Sequence, residues 1–270
     1  MSEMLKRALS GLVYILLLIG AVWYSELTCK FLLGFFLVFS ILEYVRMQRL
    51  NPIVSFFIGI IFFLCFGFFN NILTDEGLLI LAVFSVIVNL YLIRNLFVTN
   101  NTVIKNELLA YFLCLGYLVI PFLLMARIPF TEGVYTPSKL LVVFVLIWFN
   151  DTFAYLFGKF FGKRKLLEKI SPKKTIEGFV GGALIAVFMG AMIGMYIFQQ
   201  SALIWAIITI IIVIFATLGD LVESKFKRMA NVKDSGNLMP GHGGILDRLD
   251  SIIMVSPFIF ILYQILSYVS

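Results

Sequence analysis

The sequence predicts an all-α, polytopic integral membrane protein of about nine transmembrane helices with a cytoplasmic N-terminus, and three observations lead there. The first is composition: of 270 residues, 61% are hydrophobic and 13% charged, against about 45–50% and about 25% in an ordinary soluble domain. A water-soluble fold of this length could not hide that much apolar surface. The second is the recurrence of long apolar runs, each close to the ~17–25 residues a helix needs to cross a bilayer. β-barrel strands would instead give segments of about ten residues alternating apolar and polar. The third is the distribution of basic residues between alternate loops.

Taken in order, the predicted spans are Leu9–Tyr24, Lys30–Tyr44, Ile53–Phe69, Leu78–Ile93, Leu108–Met125, Leu140–Phe157, Phe179–Phe198, Ala202–Leu218 and Ile252–Tyr268. The first follows Lys6 and Arg7 and ends at Ser25-Glu26 without a small-x-small cleavage pattern, so an uncleaved span is expected rather than a signal peptide. Counting loops alternately, 18 of the 21 Lys and Arg fall on the side of the N-terminus, Lys105 among them; Lys30, Arg127 and Lys139 make up the other side. The positive-inside rule then puts the N-terminus in the cytoplasm and the C-terminus outside. One membrane domain over residues 1–270 is expected, with residues 1–126 as scaffold spans carrying no recognisable site and residues 138–270 as catalytic spans and cytoplasmic loops.

A net charge of +6 would raise nucleic-acid binding in a soluble protein. Here the basic residues sit in short loops between apolar runs, which directs them toward lipid headgroups and phosphate-bearing substrates, with no nucleic-acid partner expected. Cys29, Cys65 and Cys114 are far apart and lack metal or redox spacing, so they read as small core residues.

Candidate chemistry concentrates in the second half. In Gly219-Asp220-Leu221-Val222-Glu223-Ser224-Lys225-Phe226-Lys227-Arg228, continued helix would place Asp220, Glu223 or Ser224, and Lys227 or Arg228 on one face. The same stretch also fits a helix end with local ion pairs. Lys233 and Asp234 follow, and then Gly241-His242-Gly243-Gly244 leads into Asp247, Arg248 and Asp250. Glycines ahead of a helix start suit phosphate. Asp247 and Asp250, one turn apart, could hold a hard divalent cation. His242, the only histidine, serves either a loop hydrogen bond or phosphate contact and proton handling. Asp151 lies about 10 Å inside the sixth span, where a carboxylate needs a partner, a cation or a wet cavity. The segment Ser171-Pro172-Lys173-Lys174-Thr175 reads as an anionic-lipid anchor or, beside a phosphate site, as a clamp. Gly181-Gly182 next to it permits close helix packing.

The run Ser224-x-x-Lys227-Arg228-x4-Lys233-Asp234-x-Gly236-x3-Pro240-x-His242-Gly243-Gly244-x2-Asp247-Arg248-x-Asp250 resembles the C-terminal signature of the phosphatidate cytidylyltransferase, or CDP-diacylglycerol synthase, family. Met239 stands where that family has Leu or Ile. Ser171–Gly178 and Asn150-Asp151-x3-Tyr155 resemble its other recurring segments, so the likeness covers about Trp148 to Asp250.

The resemblance implies attack of a phosphatidate phosphate oxygen on the α-phosphate of CTP, with loss of pyrophosphate, at a site using Mg2+ and room for a second cation. It implies Asp220 and Asp247 as principal cation ligands, with Glu223, Asp234 and Asp250 supporting. Lys227, Arg228, Lys233 and Arg248 would neutralise phosphate charge. Ser171, Lys173, Lys174, Thr175, Ser224, Asp151, His242 and the backbone of Gly241, Gly243 and Gly244 would bind substrate. It also implies a homodimer; the nine helical spans and the absence of targeting features fit the inner membrane for a bacterial source. A lipid kinase would share the phosphate features. A transporter would instead spread polar residues through both halves, commonly as repeats, and the first half carries neither.

Overall fold

The computed structural model describes residues 3–68, 72–98, 104, 106–131 and 133–269; Lys105, counted above among the basic loop residues, lies outside them, as does the side chain of Lys6. Among the described residues the fold is all-α apart from two short hairpins. Its elements are α1 (Glu3–Tyr24), α2 (Glu26–Gln48), α3 (Pro52–Phe63) continued by a π-helical turn (Leu64–Phe68), α4 (Asp75–Leu96), and α5 (Glu107–Cys114) joined through a second π turn (Leu115–Val119) to α6 (Ile120–Arg127). The hairpin β1 (Phe130–Thr131) and β2 (Val134–Tyr135) precedes α7 (Ser138–Phe161). Then come the hairpin β3 (Lys165–Leu167) and β4 (Ser171–Thr175), α8 (Ile176–Tyr196), α9 (Ala202–Met229) and α10 (Leu246–Val269).

Each predicted span coincides with a rod. Among the described residues, eight rods are long and apolar enough to cross a membrane, α5 and α6 counting as one through Glu107–Arg127. The third predicted span is shorter, 12 residues of α-helix and five of π-helix. It still joins the two ends of the bundle. Asn51, its N-cap, donates its backbone N–H to Tyr111 at the start of the α5–α6 rod. At its far end the carbonyl of Phe66 accepts from Arg127 Nη2 at 2.9 Å and that of Phe68 from Lys30 Nζ at 3.0 Å. Lys30 and Arg127, two of the three basic residues on the sparse side, thus serve carbonyls that a helix end leaves without intrahelical donors.

The basic-rich loops gather at the opposite end. There Ser10 meets Pro240 and His242, Glu43 meets Ser235, Lys225 binds the carbonyls of Asn95 and Val98 at the end of α4, and Arg228 faces Ile170. Buried Lys225 satisfies carbonyls there much as Lys30 does at the other end.

Two features of α9 and α10 set up the site. First, α9 continues past Leu218, where its apolar run stops, to Met229, roughly three further turns. The one-face arrangement of Asp220, Ser224 and Lys227 is therefore helical. Second, α10 begins at Leu246, so Asp247 and Asp250 occupy its first turns. α10 lies at the centre, packed on α9, α6 and α4, with Leu249, Ile252, Ile253, Met254 and Val255 fully buried. Pro257 has no N–H to give the carbonyl of Ile253, and the Ser256 hydroxyl supplies that donor at 3.2 Å while also reaching Pro121 O. On the other side α7, α8 and α9 pack in sequence; a Cβ at Gly182 would lie 2.6 Å from the Asn150 carbonyl, so glycine permits the α7–α8 approach there.

Candidate active site

A cavity of about 990 Å³ opens between α1, α7, β4, α9 and the start of α10. One wall is apolar, from Ile15, Phe144, Ile147 and Trp148; the floor is charged. Asp151, Lys173, Lys174, Thr175, Asp220, His242, Asp247, Arg248 and Asp250, all expected from sequence, line this one space. Because α7 runs to Phe161, Asp151 stands about 15 Å from the helix end, deeper than the apolar run suggests, and its side chain is exposed to the cavity rather than packed.

Two lysines hold acids of the floor: Lys174, which lines the cavity, and Lys227, which like Ser224 lies off its wall. Lys174 Nζ lies 2.6 Å from Asp220 Oδ2, while the Ser224 hydroxyl donates to Asp220 Oδ1 at 3.2 Å, one turn along α9. Burial pulls the Lys174 pKa down, but the carboxylates of Asp220, Asp151 and Asp250 outweigh it and leave that pKa raised above the ordinary lysine value. Lys227 sits between Asp247 Oδ1, at 2.6 Å, and Glu223, one turn earlier on its own helix. Glu223 is fully buried and lies behind Lys227 rather than on the cavity wall. Asp250 is buried at the cavity edge, its Oδ1 accepting from the Ser251 N–H at 2.7 Å.

The glycine turn is built differently from the sequence expectation. Of its N–H groups, expected to cradle phosphate, that of Gly244 donates to a carboxylate of the chain itself and that of His242 to the Met239 carbonyl, and the next two, of Ile245 and Leu246, also go to a carboxylate. Asp247 Oδ2 accepts from Ser235 N and Gly244 N, both at 2.8 Å, and from Ser235 Oγ at 2.9 Å. Glu43, reaching across from α2, accepts from Ile245 N at 3.0 Å, Leu246 N at 2.9 Å and Ser235 Oγ at 2.7 Å. The attraction of a helix N-terminus for anions is real, and two side chains satisfy it. The glycines fit these carboxylates: a Cβ at Gly244 would lie 2.3 Å from Glu43 Oε2, and Gly243 has φ +86° with Asp247 Oδ2 at 2.5 Å from the same imagined atom.

Other expected residues fall outside the cavity wall. Arg228 is exposed and turned toward the carbonyls of Ile170 and Val232. Lys233 and Asp234 are exposed on the loop after α9; Ser171, Gly241, Gly243 and Gly244 also lie off the wall. Thr175 is the N-cap of α8, its hydroxyl accepting from Gly178 N at 3.1 Å. His242 exchanges a hydrogen bond with Ser10 Oγ at 2.7 Å. Burial, then the positive charges of Arg248 and Arg7, lower its pKa and favour the neutral ring.

The first half of the chain is therefore not bare scaffold. Glu43, Ser10 and Tyr14 all reach the site, with Tyr14 on the cavity wall and its buried hydroxyl without a hydrogen-bond partner among the described residues. Glu43 carried a signal: an acid closing an apolar run deserves the same attention as Asp151. Ser10 and Tyr14 carried none, since such residues are ordinary in a span.

The comparisons with known proteins point to one family. The phosphatidate cytidylyltransferase of Staphylococcus saprophyticus is 49% identical over 124 residues, which are 46% of this chain and 48% of that protein. The protein of the same name from Staphylococcus aureus strain COL is 51% identical over a stretch of the same length and coverage. The matched stretch thus spans about half the length of these curated relatives. A wider match, over residues 5–266, is to the model of the Cytidylyltransferase family, and since that reaches from α1 to α10, the helices bounding the cavity included, the chain belongs to that family.

Proposed function

We propose that this protein joins CTP and phosphatidate to give CDP-diacylglycerol and pyrophosphate. The observation that carries the reading is one cavity with an apolar wall on α7 and a floor of lysine–carboxylate pairs. Such a space accepts an acyl-bearing glycerol on one side and polyphosphate on the other. The names of the staphylococcal relatives support the same substrates.

In this reading a phosphatidate phosphate oxygen attacks the α-phosphorus of CTP. The new P–O bond forms as the α–β bond breaks, and the electron pair leaves with pyrophosphate. A phosphate monoester with a second pKa of about 6 is mostly dianionic at neutral pH, so no strong base is required; the difficulty is bringing two anions together. Lys174 and Lys227, held by Asp220 and Asp247, and Arg248 at the wall supply fixed positive charge where phosphate charge accumulates. Lys173 and Lys174 on β4 hold an incoming phosphate at the mouth.

Magnesium fits the donor set. Asp151, Asp220, Asp247 and Asp250 present hard oxygen to the cavity, beside Lys159, Lys165, Lys173, Lys174 and Arg248 on the same wall. No group of three ready ligands is formed among the described residues, where the lysines hold Asp220 and Asp247. Asp220 and Asp247 would hold the ion with Asp250 beside them, and a second cation would share the same acids; Glu223 and Asp234 lie off the wall. When bound, magnesium supplies Lewis-acid stabilisation of the triphosphate.

The basic end of the bundle is read as cytoplasmic, in the inner membrane of a bacterial cell, with the site open to CTP from that side. A homodimer rests on the resemblance alone and is measured by mass in detergent.

The test is a product assay on detergent-purified protein with CTP and dioleoyl phosphatidic acid, with magnesium or with excess chelator. CDP-diacylglycerol and pyrophosphate detected by mass spectrometry only with magnesium is the expected result. No product from folded protein overturns the reading.

A further inference from the structure

We propose that Glu43 is a positioning residue for the active site, an internal anion that locks the glycine turn and through it the Asp247–Lys227 pair. The catalytic consequence rests on the cytidylyl-transfer reading; the clamp itself does not.

Glu43 belongs to α2, far in sequence from every residue of the C-terminal signature, and its side chain is buried. Its two oxygens take the N–H groups of Ile245 and Leu246 and the hydroxyl of Ser235. Those N–H groups open α10, where no intrahelical acceptor exists. The Ser235 hydroxyl is shared with Asp247 Oδ2, so the two carboxylates grip one loop from opposite sides. Asp247 then presents its other oxygen to Lys227, which also contacts Glu223. The order of contact is Glu43, Ser235, Asp247, Lys227, Glu223. Gly236 and Gly244 leave the room Glu43 requires, since a Cβ on either would come within 2.4 Å of a Glu43 oxygen. A loop shaped around one particular carboxylate is a built feature rather than a chance approach.

Removing the charge while keeping the shape is the discriminating change. In Glu43→Gln the amide can accept from one of the two backbone N–H groups but turns its own N–H2 toward the other. The turn then loses its fixed geometry while the packing of α2 stays intact.

The experiment uses the full-length protein in lipid nanodiscs. Hydrogen exchange of the segment 235–246 is followed in wild type, Glu43→Gln, Glu43→Asp and Ser235→Ala, together with kcat and KM for CTP and the thermal midpoint. Expected for Glu43→Gln are exchange in 235–246 at least tenfold faster with α7 and α8 unchanged, kcat lowered at least tenfold, and KM for CTP within threefold. Glu43→Asp, which keeps the charge, should recover part of both losses. Ser235→Ala, which removes only the shared hydroxyl, should give a smaller loss of the same kind. Unchanged exchange in Glu43→Gln overturns the clamp. Faster exchange with full kcat overturns the positioning role, as does a kcat loss that follows the fall in thermal midpoint equally in all three variants. A wild type that makes no product sinks the cytidylyl-transfer reading instead, while the exchange comparison still decides the clamp.

Discussion

The two sides of the charged floor treat their carboxylates in opposite ways. At the glycine turn, Glu43 and Asp247 are surrounded by donors: three for Glu43, and four for Asp247 counting Lys227. Across the cavity, Asp151, Asp220 and Asp250 face a shared space in which Lys174 pairs with Asp220, and Lys159, Lys165, Lys173 and Arg248 line the same wall. Saturated carboxylates define where the backbone goes. Those with fewer donors, in the proposed reading of the cavity as a phosphate site, would be the ones to take an outside cation. Asp247 belongs to both groups, since it holds the turn and still lines the cavity.

The sharpest way to break this comparison is to remove one acid from each side. Asp247→Ala should abolish turnover, by on the order of 10³ or more, with membrane insertion retained. It should also cost about 3 kcal/mol of stability, because Ser235 N, Gly244 N and Lys227 lose their acceptor together. An active, magnesium-dependent Asp247→Ala enzyme would remove this residue from the ligand set. Asp220→Asn should lose activity by on the order of 10² to 10³ with little change in thermal midpoint, since Ser224 keeps an acceptor and Lys174 remains partly solvated. Equal destabilisation by the two substitutions would erase the distinction drawn here.

Smaller effects sharpen it. Arg228→Ala should change kcat/KM by less than about threefold, in line with an exposed side chain that points at Ile170 and Val232 rather than the cavity. A large loss would show that Arg228 swings inward with substrate. The smallest effect concerns pH. The folded pKa of His242 lies below its unfolded value of about 6.5, so the unfolded chain takes up the proton first. The contribution of the neutral ring is complete above about pH 6.5 and is lost as pH falls through the folded pKa. Thermal midpoints measured from pH 7.5 to 5.5 should therefore drop more steeply for wild type than for His242→Gln.

What sequence could reveal followed from local pattern. Nine rods, the gathering of basic loops at one end and the cluster of Asp151, Lys174, Asp220, Asp247 and Asp250 all rest on periodicity, charge and a dense motif. The direction of the glycine turn did not follow, because a loop that attracts anions looks the same whether the anion is substrate or Glu43. Arg228 was expected beside Lys227 from helical spacing, but one position is 100° of rotation, and the side chain faces Ile170 and Val232. The two small hairpins escaped notice because they are too short for an alternating pattern.

The far end of the short third rod bears on biogenesis. Its last carbonyls are met by Lys30 on the rod before it and by Arg127 at the close of α6. Lys30 is already made when the third rod emerges from the ribosome; Arg127 is not, as α4 and the α5–α6 rod must follow first. Of the two side chains that meet these carbonyls, one is thus synthesised before the third rod and the other only after α4 and α5. Two of the three basic residues that run against the charge bias of the loops thus tie rods made at different times to one helix end.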